Sequence, residues 1–264
     1  MVGSLVKIAL VVAIAMPLLA WLLQERMIFF PRPVESRPTP RANVEAITLD
    51  ATGGVKLRGW LVKGARTPAP LVIYFGGNAE EVSWLVDAAD QFAGWSVLLV
   101  NYRGYGESEG KPGEKELFAD ALALYDYAKL RADIAPERIV AMGRSLGSGV
   151  AVSLAAHRPV RGVILVSPYD SLVEVGRRHY PFLPVSLLLR QRFDSLARVP
   201  QIEAPLLCLV ATEDRIIPMA HSRALFEAWR GAKNWREIPR ADHDGISNEP
   251  EYGRSIAAFL SALR

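Results

Sequence analysis

Five short apolar runs punctuate the chain from residue 71 onward: LVIYF (71–75), SVLLV (96–100), RIVAM (138–142), GVILV (162–166) and LLCLV (206–210). Each is bounded by turn residues and has no polar alternation, the signature of a strand buried on both faces. Helix-length segments at 80–92, 114–131 and 146–157 lie between most of them. Strands alternating with helices predict an α/β domain with a mostly parallel central sheet covered on both sides. Ahead of the runs, VEAITLD (44–50) and VKLRGWLVK (55–63) do alternate and are separated by Thr52-Gly53-Gly54, which predicts an N-terminal antiparallel hairpin. A last strand around WREIP (235–239) and a helix over 256–263 close the domain. The interval 170–204 breaks the rhythm. It follows the sixth strand and mixes aromatic, aliphatic and basic residues around Pro181 and Pro184. An insertion there overlies the crevice at the carboxyl ends of the strands, so a short lid is expected.

The N-terminus has a different pattern. Residues 8–23 carry no charge, and the apolar stretch reaches Val2 if Lys7 snorkels to the surface. Sixteen helical residues span roughly 24 Å, somewhat less than a bilayer core of about 30 Å, and the extended stretch is sufficient. Leu18 is a poor residue three positions before a cut at Ala20, so an uncleaved anchor (1–30) is favoured over a signal peptide and a secreted protein. A short N-in anchor puts the folded domain on the extracytoplasmic side, against the bias of Arg26, Arg32, Arg37 and Arg41. Residues 31–43, with four prolines in PRPVESRPTPR, read as an extended spacer. The folded domain then occupies 44–264.

Composition adds little. A chain of 264 residues, half of them hydrophobic, suits one large core, and a net charge of +3 with scattered basic residues leaves no nucleic-acid footprint. The single cysteine, Cys208, lies inside an apolar run and reads as core. Nothing in the composition speaks to oligomeric state.

Candidate chemistry begins at GRSLG, 143–147. G-x-S-x-G by itself is common. Here it joins a buried strand to the Ala- and Leu-rich segment SGVAVSLAAH, the strand–turn–helix setting of a nucleophile elbow, with Ser145 at its tip. A serine hydroxyl needs a base, and the base needs an orienting carboxylate. Of four histidines, His157 lies about three turns down the helix after the elbow, His179 in the lid segment, and His221 in a later helix. His243, in the loop RADHDGI between the last strand and last helix, is the candidate base. Asp214, at the end of LLCLVATEDRIIP, is the first choice for the acid, and Asp170 at the preceding strand end is the second. Glu213, Asp242 and Asp244 are less suitably placed. The main-chain N–H groups of Leu146, at the helix start, and Asn78, in the glycine-rich loop FGGNAEE, are the expected oxyanion donors.

With GGNAEE, NYRGYGES, GRSLG, TEDRIIP and DHDG, residues 44–264 resemble the α/β-hydrolase superfamily. The MIFFPRP segment behind a hydrophobic N-terminus is similar to a membrane-anchored branch described as serine-aminopeptidase-like, some of whose eukaryotic members remove palmitoyl groups from proteins. The resemblance implies the α/β-hydrolase fold and a Ser-His-Asp hydrolase acting on esters or thioesters of a lipophilic acyl substrate. It gives catalytic roles to Ser145, Asp214 and His243 and oxyanion roles to Asn78 and Leu146, with no cofactor and no metal. Gly76-Gly77-Asn78 replaces the His-Gly-Asn usual in relatives. A peptidase or amidase, or a non-catalytic binding module on the same fold, are the alternatives.

Overall fold

All five apolar runs and the flanking hairpin join a single eight-stranded sheet in the computed structural model, which describes residues 2–263. Met1 and Arg264, the outer residues of the predicted segments, lie outside the described residues. The strands are β1 (Val44–Ala51), β2 (Val55–Val62), β3 (Ala69–Phe75), β4 (Ser96–Val100), β5 (Ile134–Arg144), β6 (Gly162–Val166), β7 (Leu206–Ala211) and β8 (Lys233–Ile238). Their order is β1-β2-β4-β3-β5-β6-β7-β8. The β1–β2 hairpin is antiparallel and joins β4 antiparallel, and the remaining pairings are parallel.

The helices are α1 (Val2–Ile28), α2 (Trp84–Asp87), α3 (Glu114–Lys129), α4 (Leu146–His157), α5 (Leu172–His179), α6 (Val185–Leu188), α7 (Met219–Ala228) and α8 (Pro250–Ala262). Alternate residues of each inner strand feed two cores. Leu71, Ile73 and Phe75 pack in the core that holds Leu124 of α3 and Val150 of α4, whereas Val72 and Tyr74 pack in the one that holds Ile256 and Leu260 of α8. This period-two division explains why the strands are apolar throughout. Cys208 is fully buried among them, as its apolar neighbours predict.

Two elements differ from the expected pattern. The segment 80–92 is mostly loop, with only the short α2 and a 3-10 turn at Ala89–Phe92. Side chains there claim groups a helix would use. Glu80 accepts from Gly77 N, Asn101 Oδ1 accepts from Val82 N, and Glu81 accepts from Ser83 N. The last helix begins six residues earlier than expected, at Pro250, whose fixed φ suits a first helical position. The interval after β6 forms the two short helices α5 and α6.

Residues 29–43 carry no helix or strand and are fastened to the domain: Arg32 O accepts from Gly106 N, Ser36 O accepts from Ser83 Oγ, and Arg37 pairs with Glu107. Among the described residues, no helix is long and apolar enough to cross a membrane. The expected span therefore rests on the sequence.

Candidate active site

Ser145 occupies the turn between β5 and α4 with φ +50° and ψ −118°, an unfavourable conformation for a residue with a Cβ. Such geometry costs on the order of 1–3 kcal/mol and persists only where the surroundings impose it. Here Ser145 N donates to Val166 O of β6 at 2.9 Å, and Ser145 O accepts from Ser148 N and Oγ at 2.9 and 2.7 Å. The flanking glycines are required by close backbone approach. A Cβ on Gly143 would stand 2.1 Å from Gly147 O, and one on Gly147 would stand 2.1 Å from Phe75 O.

The loops after β7 and β8 bring the other two predicted residues to the same point. His243 Nε2 lies 2.9 Å from Ser145 Oγ, and His243 Nδ1 lies 2.7 Å from Asp214 Oδ2. Asp214 Oδ1 accepts from the amides of Ile216 and Ile217 at 3.0 and 2.7 Å, which fixes the carboxylate plane. Its side chain is 1% exposed. Burial by itself would raise its pKa, but the His243 contact, the imidazole's charge and the Ile217 amide together outweigh it and hold the carboxyl below its ordinary value. Glu213 N donates to Ala241 O, and Thr212 N to Ile238 O, so the acid and base loops are laced together.

Asp170, the second candidate acid, pairs instead with His221 Nδ1 at 3.0 Å. His157 is exposed, with Nδ1 2.7 Å from Ser153 O, and His179 Nε2 is 2.8 Å from Ile216 O. None of these three imidazoles is joined to Ser145. Asp242 Oδ1 accepts from Gly245 N, and Asp244 sits 3.5 Å from Arg144.

Of the expected oxyanion donors, Leu146 is the first residue of α4, where N–H groups point outward at the positive end of the helix. Asn78 lines the site beside Ser145, and its carbonyl is turned away to accept from Phe30 N at 3.1 Å and from Tyr105 Oη. Gly77 is close enough that a Cβ there would lie 3.8 Å from Ser145 Cβ.

One feature of the site escapes the motifs. Arg144, next to the serine, donates to Glu80 Oε2 at 3.2 Å and to His243 O at 3.1 Å. Glu80 also accepts from Gly77 N at 2.7 Å and Tyr74 Oη at 2.6 Å. This buried pair joins the oxyanion loop, the elbow and the histidine loop. Burial alone would depress the Arg144 pKa, but the Glu80 charge outweighs it and keeps the guanidinium firmly charged. The signal was a charged residue inside each glycine motif, GRSLG and GGNAEE, where solvent-facing residues are the usual reading.

Two cavities meet at Ser145. One, about 230 Å³, has mainly aliphatic and aromatic walls from α1, α5 and α6. The other, about 740 Å³, has a mixed lining with many charged side chains and runs past Arg144, Glu80, Glu81 and Asp87. Among the described residues no cluster of His, Cys, Asp and Glu has the arrangement of a metal site.

The serine aminopeptidase S33 family matches residues 66–190, a span that holds Asn78, Ser145 and Leu146 and ends before Asp214 and His243. The chain is 36% identical to the uncharacterized protein Rv2307c of Mycobacterium tuberculosis, over 98% of this chain and 92% of that one. It is 29% identical to the alpha/beta hydrolase domain-containing protein WAV2 of Arabidopsis thaliana, over 90% and 87% of the two chains. An acetyl xylan esterase from Paenibacillus sp. R4 superposes with a TM-score of 0.69 at 20% identity, covering 86% of each chain.

Proposed function

We propose that this chain, which belongs to the α/β-hydrolase superfamily, is a serine esterase or thioesterase working through an acyl-enzyme. The observation that carries this reading is the relay Ser145 Oγ–His243 Nε2 (2.9 Å) and His243 Nδ1–Asp214 Oδ2 (2.7 Å). In it His243 takes the Ser145 proton as Oγ attacks the acyl carbon. Asp214 keeps the imidazole in the tautomer that accepts at Nε2 and stabilises the imidazolium that forms. The N–H groups of Asn78 and Leu146 receive the oxyanion, a contribution of about 2.7–4 kcal/mol per donor in comparable enzymes. His243 then returns its proton to the departing alcohol or thiol, and water repeats the sequence on the acyl-serine.

Ester cleavage is favoured over aminopeptidase action because three of the five acids lining the larger cavity already face cations and a fourth, Glu81, accepts from Ser83 and Asn101. Glu80 and Asp244 face Arg144, and Asp87 faces Arg41. The lipophilic substrate and the membrane placement, on the extracytoplasmic side, are part of the same reading. Ile14, Leu18, Leu19 and Leu22 on α1, and Phe182 and Leu187 in the lid, are more than half exposed. An apolar surface of this kind suits contact with lipid.

The reading is tested with a fluorophosphonate probe and a p-nitrophenyl ester on the full chain. The wild type is labelled and hydrolyses the ester, and Ser145→Ala loses both while keeping its circular-dichroism spectrum. Labelling that persists in Ser145→Ala rejects the assignment.

A further inference from the structure

The smaller cavity has an unexpected wall. Ala20, Gln24, Met27 and Ile28 of α1 line it together with Ser145 and Leu146. Their spacing, i, i+4, i+7 and i+8, is that of one helix face. The end of α1 is tied to the catalytic centre, since Phe30 N donates to Asn78 O at 3.1 Å and buried Phe29 stacks edge-on against Phe193. Further back, α1 is locked to the lid. Gln24 is 5% exposed, its Nε2 donates to Leu188 O at 3.1 Å, and its Oε1 accepts from Arg190 N at 2.7 Å. The Arg190 guanidinium lies 4.9 Å from the centre of the Trp21 ring and 3.2 Å from Glu25. A buried, doubly bonded Gln and a cation over an aromatic ring describe a fixed helix–lid joint.

The cavity therefore lies along α1, from Ile28 beside the oxyanion loop to Ala20. We propose that this face of α1 is a measuring wall for the acyl chain and that the site takes a medium-chain fatty acyl group, an inference resting on the serine-esterase reading above. Two sizes agree. Eight helical residues advance about 12 Å, and an extended chain advances about 1.3 Å per bond, since three backbone bonds span about 3.8 Å, which gives about nine bonds. A six-carbon ring occupies an apolar cavity of about 150 Å³, so 230 Å³ holds about nine carbons by proportion. Ala20 stands at the far end, where a larger side chain would shorten the space.

The test uses p-nitrophenyl acetate, butyrate, octanoate, decanoate and palmitate with the full chain in detergent micelles. Wild-type kcat/KM is expected to peak at octanoate or decanoate. Ala20→Phe moves the peak to butyrate and lowers the decanoate-to-butyrate ratio at least tenfold, and Ala20→Val and Ala20→Leu give graded shifts if the Phe variant does not fold. Ala15→Phe, on the same helix outside the cavity wall, keeps the ratio within twofold. Esters cleaved with a ratio unaffected throughout the Ala20 series overturn the measuring wall and leave the esterase reading intact. No hydrolysis of any ester by the wild type overturns the esterase reading and this one with it.

Discussion

Among the described residues two carboxylates hold imidazoles, and one of those imidazoles reaches the serine. Asp214 is buried, is fixed by two amides and faces His243, whereas Asp170 faces His221. Replacing Asp214 by Asn keeps the shape but presents an amide to Nδ1, which favours the tautomer unable to accept the Ser145 proton. Turnover of a p-nitrophenyl ester by Asp214→Asn is therefore expected to fall by about 10⁴. Asp170→Asn should change it less than tenfold, because the His221 pair takes no part in the relay. A larger loss in Asp170→Asn than in Asp214→Asn would reverse the assignment.

At the scale of elements, the antiparallel hairpin is held to the parallel part of the sheet by more than strand pairing. Arg131, just past α3, makes bidentate contacts with Glu45 of β1 at 2.9 and 3.0 Å and with Asp133 at 2.8 Å, and donates to Tyr127 Oη at 2.6 Å. Hydrogen bonding to Arg131 is the main cause that holds both carboxyls below their ordinary values. The groups are partly exposed, so the strap is worth only on the order of 1 kcal/mol after screening. Arg131→Met should lower Tm at pH 7 by about 2–4 °C. The sign of the pH dependence follows from the lowered pKa values. The stabilisation is complete above the unfolded values of 4.5 and 3.8 and is lost as pH falls through the lower folded ones. The Tm gap between wild type and Arg131→Met, measured by calorimetry, is expected to close below pH 3.8. A gap that stays constant down to pH 2.5 would show that the strap acts through packing alone.

Across the whole molecule, one helix serves two surroundings. The face of α1 holding Ala20, Gln24 and Ile28 belongs to the cavity, and Ile14, Leu18, Leu19 and Leu22 point outward. An N-terminal segment that is retained keeps Ala20 in the cavity wall, whereas cleavage after Ala20 would leave Gln24, Met27 and Ile28 of α1 there. Intact-mass measurement of the chain from its native host is expected to show that segment attached, with the protein in the membrane fraction after cell disruption. A soluble mature chain beginning at Trp21 would separate the hydrolase from the lipid surface.

The division between what was legible and what was not follows from the range of the forces involved. Apolar runs determined the strands, and the local setting announced the elbow, since the two glycines of GRSLG permit the close backbone approach that a sharp strand-to-helix turn requires. Chain order, with an acid after one strand and a histidine after the last, brought Asp214 and His243 to notice, although Asp170 stayed open because both carboxylates follow strands. Only the tertiary structure brings Asp214 rather than Asp170 to His243, since that contact depends on which loops cross at the sheet's carboxyl edge. The Arg144–Glu80 pair joins residues 64 apart in the chain and has no local pattern to announce it. The role of α1 as a cavity wall was likewise illegible. Its sequence reads as membrane helix all round, and hydrophobicity is non-directional: it does not say which apolar surface lies against lipid and which against a lid that begins some 140 residues later.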